Sequence, residues 1–316
     1  MAALIDTMQR RAWRALAAVA IVPLAAALAA PIRVIDDIGA GVALDGPARR
    51  IVTLAPHAAE LVDAAGAGAS VVGVIAGTDY PAAMKGKPTV GDVTALDVER
   101  IVALAPDLIV TWPWTTPRQT ASLREAGIAV FEADPRTIDG IATDIERLGR
   151  LAGTPSVAGS AAAAFRERMK ALAPGRTSPP LRVFYQVADA PIFTLGGKHL
   201  VSEAIALCGG ENVFSRLSIP APEVGVEAVL AANPDVIVAG TNDAKRPAWL
   251  DAWRRWTTLA AVRHGALYTV DANLLHRPGP RFAEGVEQLC RVLANARRTI
   301  ASNRHDSSAA TAHDAR

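Results

Sequence analysis

The sequence predicts two Rossmann-like α/β lobes joined by a single long helix, and three observations carry that expectation. The first is a near-repeat: residues 98–110 read VERIVALAPDLIV and residues 226–238 read VEAVLAANPDVIV, 128 positions later. Each copy reads as a short helix, a Pro-Asp stop and an apolar run suited to a buried parallel strand. One recurrence at this distance is too widely spaced for a solenoid and describes two similar lobes. The second is the alternation of strand-like and helix-like segments, which argues for parallel sheets covered by helices. The third is an unbroken helical pattern from Thr154 to about Ala173. At 1.5 Å per residue it is on the order of 28 Å long, sufficient to bridge two lobes stiffly.

These observations divide the chain into a segment 1–29, a first lobe at 30–153, a bridging helix at 154–174, a second lobe at 175–298 and a tail at 299–316. Arg10, Arg11 and Arg14 precede an uncharged apolar stretch from Ala15 to Leu28. That stretch is short for a bilayer span and ends in the small-x-small triplet Ala27-Leu28-Ala29, the pattern of a cleaved signal peptide. An uncleaved membrane anchor is the alternative. No cysteine lies near the cut, so a lipid anchor is not indicated, and the mature chain is expected to be soluble and exported.

The mature part begins with an alternating segment, 32–45, read as a β-hairpin. Strands follow at 51–54 and 71–75, with a helix at about 58–65 between them that ends at Gly66. The first repeat helix (97–104) leads to a strand at 109–112, and a helix at 118–126, a strand at 128–131 and a helix at 137–152 complete the first lobe. Thr154-Pro155 is a helix start, with Thr as N-cap and Pro at the first helical position. Val157, Ala161, Phe165, Met169 and Leu172 are expected to form its apolar stripe. In the second lobe, 183–187 and 236–238 read as buried strands, an apolar helix ends near Cys208, and a final helix spans about 281–297. The remaining tail, rich in Ser, Ala, His and Asp, is expected to be disordered.

Composition narrows the function. Half of the 316 residues are apolar and a fifth are charged, with a net charge of +2, which excludes global disorder. No basic stripe interleaves with aromatics, so nucleic acid is not an expected partner. Cys208 and Cys290 are the only cysteines. Export favours their pairing, worth roughly 4–5 kcal/mol in the chain-entropy account, with two free buried thiols as the other reading. His57, His199, His264 and His276 are scattered without paired spacing, so no metal site is expected.

An order of segments now becomes specific: the hairpin, RIVTLAP (50–56), DYP (79–81), LDVERIVALAPDLIV (96–110), the bridging helix and LCGGENVF (207–214). Over about residues 32–297 this order resembles the helical-backbone periplasmic binding proteins, the solute receptors of ABC importers for cobalamin, haem and ferric siderophores. Within the family the likeness is greatest to its cobalamin receptors. The resemblance implies two lobes that open little on ligand release, and a disulfide at Cys208 and Cys290. It also implies that Glu99 and Glu227 each dock onto an arginine of one copy of a two-fold permease dimer. Independently of docking, each glutamate favours its helix N-terminus through the macrodipole. The expected partners are thus a corrinoid or similar bulky chelate and the importer permease, the receptor itself being a monomer. Cobalamin is cargo, and no cofactor is expected.

Ligands are expected at the C-terminal ends of the strands. The first lobe offers Pro56, His57, Asp79, Tyr80, Trp112 and Trp114 there, and the second offers Gln186, Phe193 and the segment from Asn273 to Arg277. Core packing is the competing role for the two tryptophans. Trp112, Phe193 and Arg277 match family pocket positions. Gly77, Val93 and Ala221 stand where cobalamin receptors have aromatic contacts, and Asn273 where they have an acid, implying a roomier pocket. Haem receptors of the family commonly place a tyrosine after a Val-Gly pair, whereas Val90-Gly91 is followed here by Asp92. A ferric-siderophore or haem receptor is the alternative, with Arg118, Arg277 and Arg281 as cations for an anionic chelate. An exported hydrolase is a third reading, but the chain has no Gly-x-Ser-x-Gly elbow and no P-loop, and no carboxylate pair stands out as acid and base.

Overall fold

A computed structural model describes residues 30–112, 117–173, 179–242 and 246–314, without the side chains of Pro117 and of 304–314. The segment read as a signal peptide and Trp114 lie outside the described residues. An antiparallel hairpin of β1 (Ile32–Ile35) and β2 (Gly41–Leu44) comes first. The first lobe follows as β3 (Ile51–Thr53), α1 (Pro56–Ala64), β4 (Val71–Val74), α2 (Val98–Ala103), β5 (Leu108–Thr111), α3 (Pro117–Glu125), β6 (Ala129–Glu132) and α4 (Ile138–Ala152). Helix α5 (Pro155–Leu172) leads away from it. The second lobe contains β7 (Leu181–Gln186), α6 (Leu200–Leu207), β8 (Gly210–Asn212), α7 (Val226–Ala232), β9 (Val236–Thr241), α8 (Ala248–Asp251), α9 (Ala260–Arg263), β10 (Leu267–Asp271), α10 (Ala272–Leu275) and α11 (Phe282–Asp314).

Both sheets have four parallel strands in the same order. The first runs β4-β3-β5-β6 and the second β8-β7-β9-β10, so in each lobe the chain first steps outward and then crosses back past its first strand. The crossing leaves a switch point between β3 and β5 and another between β7 and β9, where open α/β sheets receive ligands. β5 is buried along its whole length and β9 over Val236–Gly240, as expected of strands covered on both faces.

The sequence repeat acquires a physical meaning here. Helices α2 and α7 both stop at a left-handed residue, Ala105 at φ 43° and Asn233 at φ 39°. Asp107 then accepts the backbone N–H of Arg49 at 2.8 Å and of Arg50, while the Arg50 guanidinium donates to the Leu104 carbonyl. In the second lobe Asp235 accepts the Arg182 N–H at 2.9 Å and Arg182 donates to the Ala232 carbonyl. Each Pro-Asp thus clamps the start of the first strand to the start of the third, satisfying backbone groups that would otherwise end unpaired.

Helix α5 is anchored differently from expectation. The Thr154 hydroxyl does not cap it but donates at 2.6 Å to the carbonyl of Ala65, tying the strut to the end of α1. Its buried face is Ala158, Ala162, Phe165 and Met169, whereas Val157 is 54% exposed; the inward stripe starts one residue later than predicted. The turn between α4 and α5 uses Gly153 at φ 74°. Gly149 lies so close to α5 that a Cβ there would sit 2.1 Å from that of Ala158. Farther along, Arg168 pairs with Glu287 of α11 at 3.1 Å. One apolar core runs from the first lobe through α5 and α11 into the second.

Cys208 and Cys290 form a disulfide with Cα atoms 4.7 Å apart, joining the end of α6 to α11. Helix α11 itself continues to Asp314, past the expected stop near 297, so residues 299–314 are helical where a disordered tail was predicted. Among the described residues, no helix is long and apolar enough to cross a membrane.

Candidate ligand-binding cleft

A cleft of about 400 Å³ opens between the lobes. The first lobe lines it with Trp112, Asp134, Pro135 and Arg136, and the second with Lys198, His199, Leu200, Ile219, Pro220, Ala221, Leu275, His276 and Pro278. Trp112 is placed by β5, which it directly follows at the switch point of the first sheet. His199 is placed by α6, whose N-terminus it caps, and His276 by the short α10 after β10.

Trp112 is half-buried and meets the ring of His57 edge-on, with centroids 5.0 Å apart. His57 itself is fully buried behind the tryptophan. Burial, against a weak contact to the Ala133 carbonyl at 3.5 Å, pushes its pKa down to about 4. A neutral imidazole therefore backs the indole, and the indole presents its apolar surface to the cleft.

His199 accepts the Val201 backbone N–H on Nδ1 at 3.1 Å, and His276 Nε2 lies 3.0 Å from the Tyr185 hydroxyl. Burial is the main cause that pushes both rings to about 4; His276 and Arg136 further disfavour a charge on His199. Arg136 pairs with Asp134, so its charge is locally matched, and Lys198 is exposed. The cleft consequently offers apolar surface and neutral donors more than net charge.

Several residues expected in the pocket instead hold the two lobes together. Arg277 Nη1 reaches Asp79 Oδ1 at 2.7 Å across the lobes. Partial burial pushes the Asp79 carboxyl up, but the Arg277 guanidinium more than offsets this and holds it below its ordinary range. Arg281 donates to Glu60 through Nε at 3.0 Å and Nη2 at 2.6 Å, and its guanidinium lies 4.2 Å from the Tyr80 ring centroid. The Ile138 N–H at the start of α4 donates to Glu203 of α6 at 2.8 Å.

Of the predicted positions, Trp112 lines the cleft, as do Leu275 and His276 of the segment from Asn273 to Arg277, and Ala221, singled out as a departure from family aromatics, does too. Gln186 does not: it is wholly buried, accepting from Trp253 Nε1 at 2.8 Å and donating to the Ala188 carbonyl at 3.1 Å. Phe193 pairs through its backbone with Ala188 and Glu223 beside the second sheet and is not among the lining residues. Asn273 donates to the Asn242 carbonyl at 3.3 Å, and Pro56 opens α1. Val93 is 78% exposed, and Asp92 is occupied by Thr94 and Ala95 in a local turn. Arg136, Lys198 and Leu200 were not foreseen; the only local signal was the apolar helix that His199 caps. Glu99 and Glu227 are exposed second residues of the equivalent helices α2 and α7, in no ion pair among the described residues. No group of His, Cys, Asp or Glu there is arranged to hold a metal ion.

Two lobes, each built on a parallel sheet, one connecting helix and a ligand-sized cleft between them are the architecture of a solute receptor. The periplasmic binding protein family matches residues 51–274, and the chain belongs to that family. Among curated proteins it is 38% identical over 250 residues to the vitamin B12-binding protein of Vibrio cholerae, covering 78% of this chain and 90% of that one. The crystal structure of the periplasmic vitamin B12 binding protein of Vibrio cholerae superposes with a TM-score of 0.71 at 38% identity, over 79% of this chain and 98% of that one. The periplasmic haem-binding protein of Roseiflexus sp. RS-1 gives a TM-score of 0.69 at 26% identity, over 79% and 99%.

Proposed function

We infer that the chain is a periplasmic receptor that captures vitamin B12, or a close corrinoid, and delivers it to an ABC importer in the inner membrane. The observation that carries this is the wall of Trp112 backed by His57, at the mouth between two lobes, in a chain 38% identical to a vitamin B12-binding protein over 90% of that protein's length. A large, flat, uncharged macrocycle buries well against an indole face, while a strongly anionic chelate would need more unpaired positive charge than the cleft offers. The cargo is bound and released unchanged, and the chain is not an enzyme in this reading. Residues 1–29 act as its signal peptide, and Glu99 and Glu227 as its two docking points on the permease dimer.

The haem-binding relative keeps one alternative in view, a receptor for haem or a ferric siderophore. Isothermal titration separates the two. Cyanocobalamin is expected to bind one to one, whereas no heat with cyanocobalamin and tight binding of haem or a ferric hydroxamate would transfer the assignment to the alternative.

A further inference from the structure

His199 and His276 face one cleft, and each has one ring nitrogen already taken. His199 accepts the Val201 N–H on Nδ1, so a neutral ring must carry its proton on Nε2. Tyr185 is wholly buried, and burial holds its phenol protonated far above neutrality, with Asp271 acting in the same direction. A phenol O–H is a better donor than acceptor, so it donates to His276 Nε2 and leaves the proton of that ring on Nδ1. Both rings are neutral for the reasons given above. Each therefore has a single, tautomer-fixed N–H left for whatever enters the cleft.

We propose that His199 Nε2–H and His276 Nδ1–H are specificity-determining donors that bind carbonyl oxygens of amide side chains on the cargo and select such amides over carboxylates. This rests on the corrinoid reading, since corrins carry acetamide and propionamide arms at their rim. A neutral N–H satisfies an amide carbonyl without residual charge. It does not offset the cost of bringing a carboxylate into a partly dehydrated cleft. The nearby cations do not reverse this, because Arg136 is paired with Asp134 and Lys198 lies in water.

The test compares cyanocobalamin with a corrinoid whose rim amides are hydrolysed to carboxylates, on the full mature chain and two variants. His199→Asn keeps an acceptor for the Val201 N–H, and His276→Gln keeps an acceptor for the Tyr185 hydroxyl; the amide NH2 that remains in each cannot stand where the imidazole N–H stood, so each variant displaces the donor while its anchoring contact is kept. Each is expected to weaken cyanocobalamin about fivefold and to narrow the preference for the amide form. Nitrogen-15 spectra of the unmutated protein provide an arm independent of variant folding. They are expected to show the two stated tautomers, with slower exchange of both ring N–H protons once cyanocobalamin is added. Tight cyanocobalamin binding by wild type, together with unchanged affinity in both variants or ring signals that ignore the ligand, would overturn this assignment alone. No cyanocobalamin binding by wild type would overturn the corrinoid reading and this inference with it.

Discussion

Arg281, in the turn just before α11, grips Glu60 of α1 across the two lobes with two hydrogen bonds, at 3.0 and 2.6 Å, and the Glu60 side chain is 1% exposed. Burial pushes the Glu60 carboxyl up despite the arginine, which means the pair is costly to desolvate and depends on both partners being present. Arg281→Met is therefore expected to destabilise the protein by about 3–5 kcal/mol in urea unfolding, because it strands a buried acid. The double variant Glu60→Leu with Arg281→Met is expected to recover much of that loss. If the double variant is no more stable than the single one, the pair contributes through packing and not charge.

The strut gives a second prediction. A methyl group on Gly149 would meet the Ala158 side chain at 2.1 Å and the Thr154 carbonyl at 3.3 Å. Neither neighbour is a flexible chain end, so α4 and α5 must separate. Gly149→Ala is expected to cost about 1–3 kcal/mol, read as a lowered melting temperature. Gly159→Ala on α5, whose new methyl meets nothing within 4 Å, is the control and is expected to be neutral or slightly stabilising.

Trp112→Ala is expected to raise the dissociation constant for cyanocobalamin tenfold or more, about 1.4 kcal/mol, with little change in melting temperature because the indole is only half-buried. Calorimetry reads the first quantity and a thermal melt the second. An unchanged dissociation constant would remove Trp112 from the binding surface.

How much of this was legible follows from which interactions are local. The repeat around Glu99 and Glu227 located β5, β9 and the Pro-Asp helix stops, because these are written in neighbouring residues, whereas the clamps that Asp107 and Asp235 make reach 58 and 53 residues back and went unread. Gln186 was misplaced because it ends β7 at the expected mouth, whereas its partner Trp253 arrives from 67 residues away. Strand β8, Gly-Glu-Asn, is three residues without apolar alternation, and it exists only because β7 offers it an edge. The continuation of α11 beyond 297 went unseen because its tail is rich in Ser, His, Asp and Thr, which are weak helix formers, and carries no apolar stripe to read. Arg136 and Lys198 belong to loops whose meeting across the cleft no short-range pattern records.

His57 predicts an acid-sensitive stability. Its folded pKa is depressed from 6.5 to about 4, so the folded protein resists a proton that the unfolded chain accepts. The stability is complete above 6.5 and declines as the pH falls toward 4, by on the order of 3 kcal/mol from this ring. Asp144 acts oppositely over the same range. Burial and the nearby Asp37 carboxylate push it up to about 9, so its neutral form favours folding as pH falls from there. The readout is therefore a difference: urea-unfolding free energies of wild type and His57→Leu should converge or cross as pH falls through this window. Parallel curves would show that His57 does not titrate as its burial requires.

The docking prediction rests on symmetry. Glu99 and Glu227 are each the second residue of an equivalent helix, both exposed, and neither lies on the cleft. A two-fold permease presents the same surface twice, so two matched carboxylates on pseudo-equivalent lobes can meet two matched cations and seat the cleft above the pore. Charge reversal at such a rim acts on encounter and registry and leaves the ligand pocket untouched. Glu99→Lys combined with Glu227→Lys should keep cyanocobalamin affinity within about twofold of wild type while abolishing uptake by proteoliposomes holding the cognate importer. Either reversal alone should leave partial transport, since one contact persists. Normal uptake by the double variant would remove both glutamates from the interface; weakened cyanocobalamin binding would instead place their effect within the receptor, through the helices that carry β5 and β9.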